Sequence, residues 1–111
     1  MTINIRGAQI ELTDAIRNYV EEKFLSLEKY ESHIQMIDVE VGKTTNHHQK
    51  GDVFSCSAHV ILPSDSMKIE RDAEDLYKAI DKVKDHLRET LAQRKEKMLD
   101  ERRKTDEEAG V

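Results

Sequence analysis

The chain of 111 residues contains one cysteine, one proline, four glycines and no tryptophan. Cys56 has no second cysteine to bond with and no CxxC partner, so a reducing compartment is the expected setting. With so little proline and glycine, few tight turns are available and long regular elements are favoured. Aromatic residues make up 5% of the chain, which leaves the core to aliphatic side chains. No apolar run approaches the roughly 20 residues of a membrane span. The segment Met1 to Arg6 lacks the apolar stretch of a signal peptide. A soluble, cytoplasmic protein is expected. Also missing are a Gly-rich phosphate loop, GxSxG, HExxH and any Cys/His zinc pattern. The acid pairs Glu21-Glu22 and Glu107-Glu108 are adjacent in sequence and read as solvated charge, not as convergent catalytic carboxylates. The expectation is a protein without catalytic residues, metal, cofactor, membrane contact or small-molecule substrate.

What the chain has in quantity is charge. Charged and hydrophobic residues each make up 37%, and the net charge is −5. One domain is expected, with a modest core and long solvated faces. An acidic sum argues against a nucleic-acid binder, since such domains are usually basic. The distribution is uneven, however. Acids gather at Glu21-Glu22, from Glu70 to Asp75 and at Asp106-Glu107-Glu108, whereas lysine and arginine gather toward the C-terminal third. Binding follows local fields, not the sum.

Hydropathy periodicity supplies the elements. Thr2 to Arg6 alternates and reads as a short strand ended by Gly7. Thr13 is a helix N-cap, and Ile16, Val20, Phe24 and Leu27 recur at helical spacing, predicting a helix over 14–30. Met36 to Val41 alternates as a half-buried strand. The polar segment 42–52 reads as a hairpin loop. Val53 to Leu62 is the clearest strand, with Phe54, Cys56, Ala58, Val60 and Leu62 on one face. Pro63 to Ser66 turns the chain into a last strand, Met67 to Arg71, completing an antiparallel meander. Asp72 opens a long helix whose stripe is Leu76, Ile80, Val83, Leu87 and Leu91. Beyond Leu91 the stripe weakens, so 93–104 is expected to be a solvated helical extension and 105–111 a disordered acidic tail. The order β-α-β-β-β-α predicts an α+β, two-layer sandwich: a four-stranded sheet with two helices on one face.

Four features invite a chemical reading. His47-His48 could begin a metal site but lacks further ligands at suitable spacing, and it equally suits a polar loop tip. Cys56 sits on an inward strand face and reads as a small core residue. Tyr30 and Tyr77 each stand at a helix end, where either stacking on a base or closing the core edge fits. On the long helix, Lys84, Arg88 and Lys95 line one border of the apolar stripe. Lys78 and Lys82, with His86 nearby, lie toward the other side. Arg94, Lys97, Arg102, Arg103 and Lys104 carry the charge onward. Such a ridge could track RNA phosphates, each contact releasing a counterion. The interspersed acids Asp81, Asp85, Glu89 and Glu96 fit an ordinary solvated helix equally well.

Two motifs narrow the choice. Ile3-Asn4-Ile5 is followed by Glu11-Leu12-Thr13-Asp14-Ala15-Ile16-Arg17, then Lys23-Phe24 and Leu27-Glu28-Lys29-Tyr30. The second helix opens with Asp75-Leu76-Tyr77-Lys78-Ala79-Ile80-Asp81. Over about residues 1–97 this resembles the ribosome hibernation promoting factor and protein Y family. The resemblance implies a fold like that of double-stranded-RNA-binding domains. It also implies a partner, the small ribosomal subunit and its rRNA, bound in the channel of mRNA and of A- and P-site tRNA. Translation would be held inactive there in stationary phase or stress. Carried over by position, the RNA-binding residues would be Arg17, Lys23, Lys29, Lys78, Lys82, Arg88, Lys95 and Lys97. Family members often have a basic residue where this chain has Glu89 and Gln93, and lysine where it has His86. Arg88 and Arg94 shift charge one residue along. The resemblance further implies a ribosome-associated short form without the C-terminal dimerisation domain of long members. The segment 102–111 suits either promotion of ribosome pairing or opposition to it. From the residues alone, a module for non-ribosomal RNA and an acidic protein–protein regulator stay open.

Overall fold

A computed structural model describes the backbone of residues 1–45 and 52–109, and the side chains of those residues except 44, 45, 52, 98 and 100–109. In chain order the elements are β1 (Thr2–Ala8), α1 (Asp14–Leu25), a 3-10 turn (Ser26–Lys29), β2 (Met36–Thr45), β3 (Asp52–Leu62), β4 (Asp65–Ala73) and α2 (Leu76–Ala109). The four strands form one sheet in the order β1-β2-β3-β4. β1 runs parallel to β2, pairing Thr2 with Met36 and Ala8 with Gly42. A parallel pair cannot be joined by a hairpin, and α1 makes the crossover. β2–β3 and β3–β4 are antiparallel, as the meander requires.

Register places Ile37, Val39 and Val41 opposite Val60, Ala58 and Cys56. All six are fully buried and share one face of the sheet. Over that face lie Val20, Phe24 and Leu27 from the α1 segment, and Leu76, Ala79, Ile80, Val83, Leu87 and Leu91 from α2. Each fully buried aliphatic side chain of this kind contributes roughly 1.5–3 kcal/mol. The other face of the sheet is polar: Asn4 donates to the Asp38 carboxylate at 3.0 Å, and Arg6 pairs with Glu40 at 3.4 Å. The α+β two-layer sandwich expected from periodicity is therefore the observed fold, with the apolar stripe of α2 facing inward as read.

The strands are longer than periodicity suggested: β2 runs on to Thr45 and β3 starts at Asp52, so both ends of the segment expected to be a loop pair as a ladder, and β4 already starts at Asp65, within the expected turn. Four further boundaries differ, each for a local reason. β1 runs through Gly7 to Ala8. The glycine is needed because the Ile10 carbonyl comes within 3.0 Å of where a Cβ would stand, and the chain turns just after, at Gln9, with φ 59°. The α-helix expected to reach Tyr30 stops at Leu25. There the Ser26 hydroxyl donates to the Lys23 carbonyl at 2.6 Å, competing with the next helical bond. The tighter turn that follows still delivers Leu27 to the core. α2 begins at Leu76, not at Asp72, because Asp72 and Ala73 pair with Ser55 and Phe54 as the end of β4. Asp75 takes the cap, its carboxylate accepting from the N–H groups of Tyr77 at 2.8 Å and Lys78 at 3.3 Å. Finally, α2 remains helical to Ala109, into the segment expected to be disordered. Its run of Glu, Lys and Arg has high helix propensity and continues a helix already nucleated by the core. His47-His48 lies outside the described residues. Among the described ones, no group of His, Cys, Asp and Glu is arranged to hold a metal, and no helix is long and apolar enough to cross a membrane.

Candidate nucleic-acid interface

At about 100° per residue, the exposed surface of α2 divides into strips. Lys84, Arg88 and Lys95 fall within about 20° of Tyr77, on the side that faces α1. Lys82 and His86 lie on the opposite border, beside β4. Between these borders Asp85, Glu89 and Glu96 occupy the outermost strip with Lys78. The acids thus separate the two rows of cations.

The α1 side is built around Tyr19. Its ring meets Tyr77 edge-on, with centroids 4.8 Å apart and planes at 85°. Its hydroxyl donates to Asp81 at 2.6 Å. That hydrogen bond, with burial second, raises the Tyr19 phenol to about 12. Lys23 lies 5.3 Å from the Tyr19 ring centroid and 3.9 Å from Asp81, so its charge is largely balanced from within the fold. On the β4 side, Lys82 donates to the Asp72 carbonyl at 3.2 Å. The Arg71 guanidinium donates to His86 Nδ1 at 2.6 Å. Lys78 pairs with Glu74 at 3.3 Å, and Lys84 with Asp85 at 3.7 Å.

The remaining sequence-predicted residues are Arg17 and Lys29 on the α1 segment and Arg88, Lys95 and Lys97 on α2. All five are exposed, and none has a carboxylate partner among the described residues. The fold brings two of them together. Lys29 and Lys95 line one cleft beneath the overhang of α2, with a volume of about 540 Å³ and Tyr30, His33 and Leu99 in its walls.

Arg94 departs from the sequence reading. It was expected to extend the free charge, yet it pairs with Asp65 at the start of β4. It stands 18 positions after Leu76, five whole turns on, and so points along the buried stripe just past the sheet. That signal was present in the periodicity. The pairing, with the Ser66 N–H, holds the Asp65 carboxyl below its ordinary value. Nearby, Glu31 accepts from the His33 backbone N–H at 3.0 Å and lies 2.8 Å from His33 Nδ1. These bonds to His33 hold its carboxyl low as well. Cys56 is fully buried, and burial pushes its thiol up to about 12, as suits a core residue and not a nucleophile. Spacing gave no sign of Tyr19 as the tie between helices, because its partner is 62 residues away.

This fold defines a class. It is similar to the structure of a ribosomal subunit interface protein from Coxiella burnetii, with a TM-score of 0.73 at 22% identity over 86% of this chain and 98% of that one. The family model described as Sigma 54 modulation protein / S30EA ribosomal protein matches residues 3–99, and the chain belongs to that family. Its relatives include the ribosome hibernation promoting factor of Azotobacter vinelandii, 34% identical over 90% of this chain and 88% of that protein. Another is the ribosome-associated factor Y of Haemophilus influenzae, 30% identical over 96% and 92%. The resemblance carried by Glu11 to Arg17 and Asp75 to Asp81 is thereby confirmed.

Proposed function

We propose that this protein is a ribosome hibernation factor that binds small-subunit rRNA in the mRNA and tRNA channel and blocks translation by occupying it. The names of its relatives support the ribosome as partner. The observation that carries the reading is the set of six exposed cations without carboxylate partners among the described residues, Arg17, Lys29, Lys82, Arg88, Lys95 and Lys97, distributed over the α1 segment and α2 while the molecule as a whole is acidic. Cations already balanced within the fold, such as Lys23 and Lys78, add little outward field. Unbalanced ones attract phosphates and release counterions. Exposed cations spread along two helices suit recognition through backbone position and RNA shape. The sheet's task is to hold both helices at fixed spacing, and no catalytic step is involved.

The triple charge reversal Lys82→Glu, Arg88→Glu and Lys95→Glu tests this reading. It is expected to abolish co-sedimentation with small subunits while far-ultraviolet circular dichroism stays that of the parent. The parent's affinity should fall steeply with salt, by a log–log slope of about 0.7–0.9 per phosphate contact. Unchanged co-sedimentation of the variant would discredit the cation surface. Binding of the parent that persists in high salt would favour a protein partner instead.

A further inference from the structure

The cleft under α2 contains groups that a purely phosphate-tracking surface does not need. Tyr30, half-buried at the end of the 3-10 turn, contributes an aromatic wall. Leu99 is 46% exposed, an apolar side chain on a stretch of helix otherwise rich in charge. Lys29 and Lys95, one from each helical segment, stand at the same cleft without carboxylate partners among the described residues. Two acids share the lining: Glu31 is engaged by His33, and Glu28 is exposed at the rim and free to turn to solvent. A volume of about 540 Å³ lies within the roughly 300–1,000 Å³ of small-ligand sites. It suits a single nucleotide and is too small for a helix.

We propose that this cleft captures one unstacked nucleotide of single-stranded RNA, with its base against Tyr30 and Leu99 and its phosphates against Lys29 and Lys95. The inference rests on the RNA-binding reading above and adds a base-contacting site to it. The occupant that fits has a flat apolar face and an anionic backbone on both sides. Unstacked bases are commonly held on aromatic side chains in this way, largely without regard to their identity. Leu99, an exposed apolar side chain in the same lining, gains cover from such a base.

The test uses the full chain and a hexanucleotide RNA carrying one central 2-aminopurine, alongside the same strand with an abasic position there. Binding should quench the 2-aminopurine fluorescence, and the abasic strand should bind about tenfold more weakly, within the range of one base–aromatic stack. Tyr30→Phe should retain the quench, whereas Tyr30→Leu and Leu99→Glu should lose it. Leu99 is on an exposed helix face, so its replacement leaves the core intact even if Tyr30→Leu disturbs it. Equal binding of both strands, quenching that survives Leu99→Glu, or no binding of the hexanucleotide would each overturn the site. Co-sedimentation of the parent protein with small subunits separates the two ideas. Co-sedimentation without quenching removes the cleft and leaves the ribosome reading standing. Quenching without co-sedimentation does the reverse.

Discussion

Tyr19 joins the two helices through one hydroxyl, and its chemistry makes the contact measurable. The neutral phenol donates to Asp81 at 2.6 Å, and ionisation would replace that bond with repulsion between two anions. The folded state therefore holds the proton to about pH 12, against an ordinary value of 10.0. A raised acid of this kind contributes stability that is fully present below the unfolded value and is lost as pH rises through the folded one. In an ultraviolet absorbance titration, one of the three tyrosines should ionise late, at about pH 12. Tyr19→Phe should remove that step and lower stability by about 1 kcal/mol. If the late step survives in Tyr19→Phe, the tie to Asp81 is not the cause. The T-shaped contact with Tyr77 persists in that variant, because it needs only the ring.

At the scale of elements, α2 is held at both ends of its packed half. Asp75 caps its start. Arg94 fastens the far end to Asp65 at the start of β4, beside the Glu31–His33 pair. Both carboxyls are held below their ordinary values, Glu31 chiefly by the His33 N–H and Asp65 chiefly by Arg94. A depressed carboxylate contributes stability that is fully present above its unfolded value, near pH 4. That contribution is lost as pH falls through the lower folded value. The double variant Glu31→Gln, Asp65→Asn should unfold at lower urea than the parent at pH 7. The gap between their midpoints should then close as the pH is taken below the carboxylate range. A gap that stays constant with pH would mean that these pairs do not anchor the helix.

For the whole molecule, the dominant feature is the overhang. The chain measures 63 × 29 × 19 Å with a radius of gyration of 17.2 Å, against about 13 Å for a compact domain of this length. The difference lies in α2, whose 34 residues span about 51 Å, while its last buried side chain among the described residues is Leu91. Beyond Arg94 the described side chains of Lys95, Glu96, Lys97 and Leu99 are all exposed. Ending the chain after Lys97 should therefore leave the fold intact and shift the thermal midpoint by no more than about 4 °C, equivalent to less than about 1 kcal/mol. A larger loss, read by differential scanning calorimetry, would show that the overhang packs back on the domain.

Strand alternation in 36–41 and 53–62, the stripe Leu76-Ile80-Val83-Leu87-Leu91 and the two motif segments determined the sandwich and the family, because burial on one face imposes a period that any window of sequence displays. Periodicity even contained the turning-in of Arg94, five whole turns after Leu76. What only the tertiary structure decided is which charges are spent. Lys23 meets Asp81, Arg94 meets Asp65 and His86 meets Arg71 across separations of 58, 29 and 15 residues. The union of Lys29 and Lys95 in one cleft is of the same kind. Charge pairing depends on distance in space, and a linear reading has no access to distances that the packing of two helices on a sheet creates.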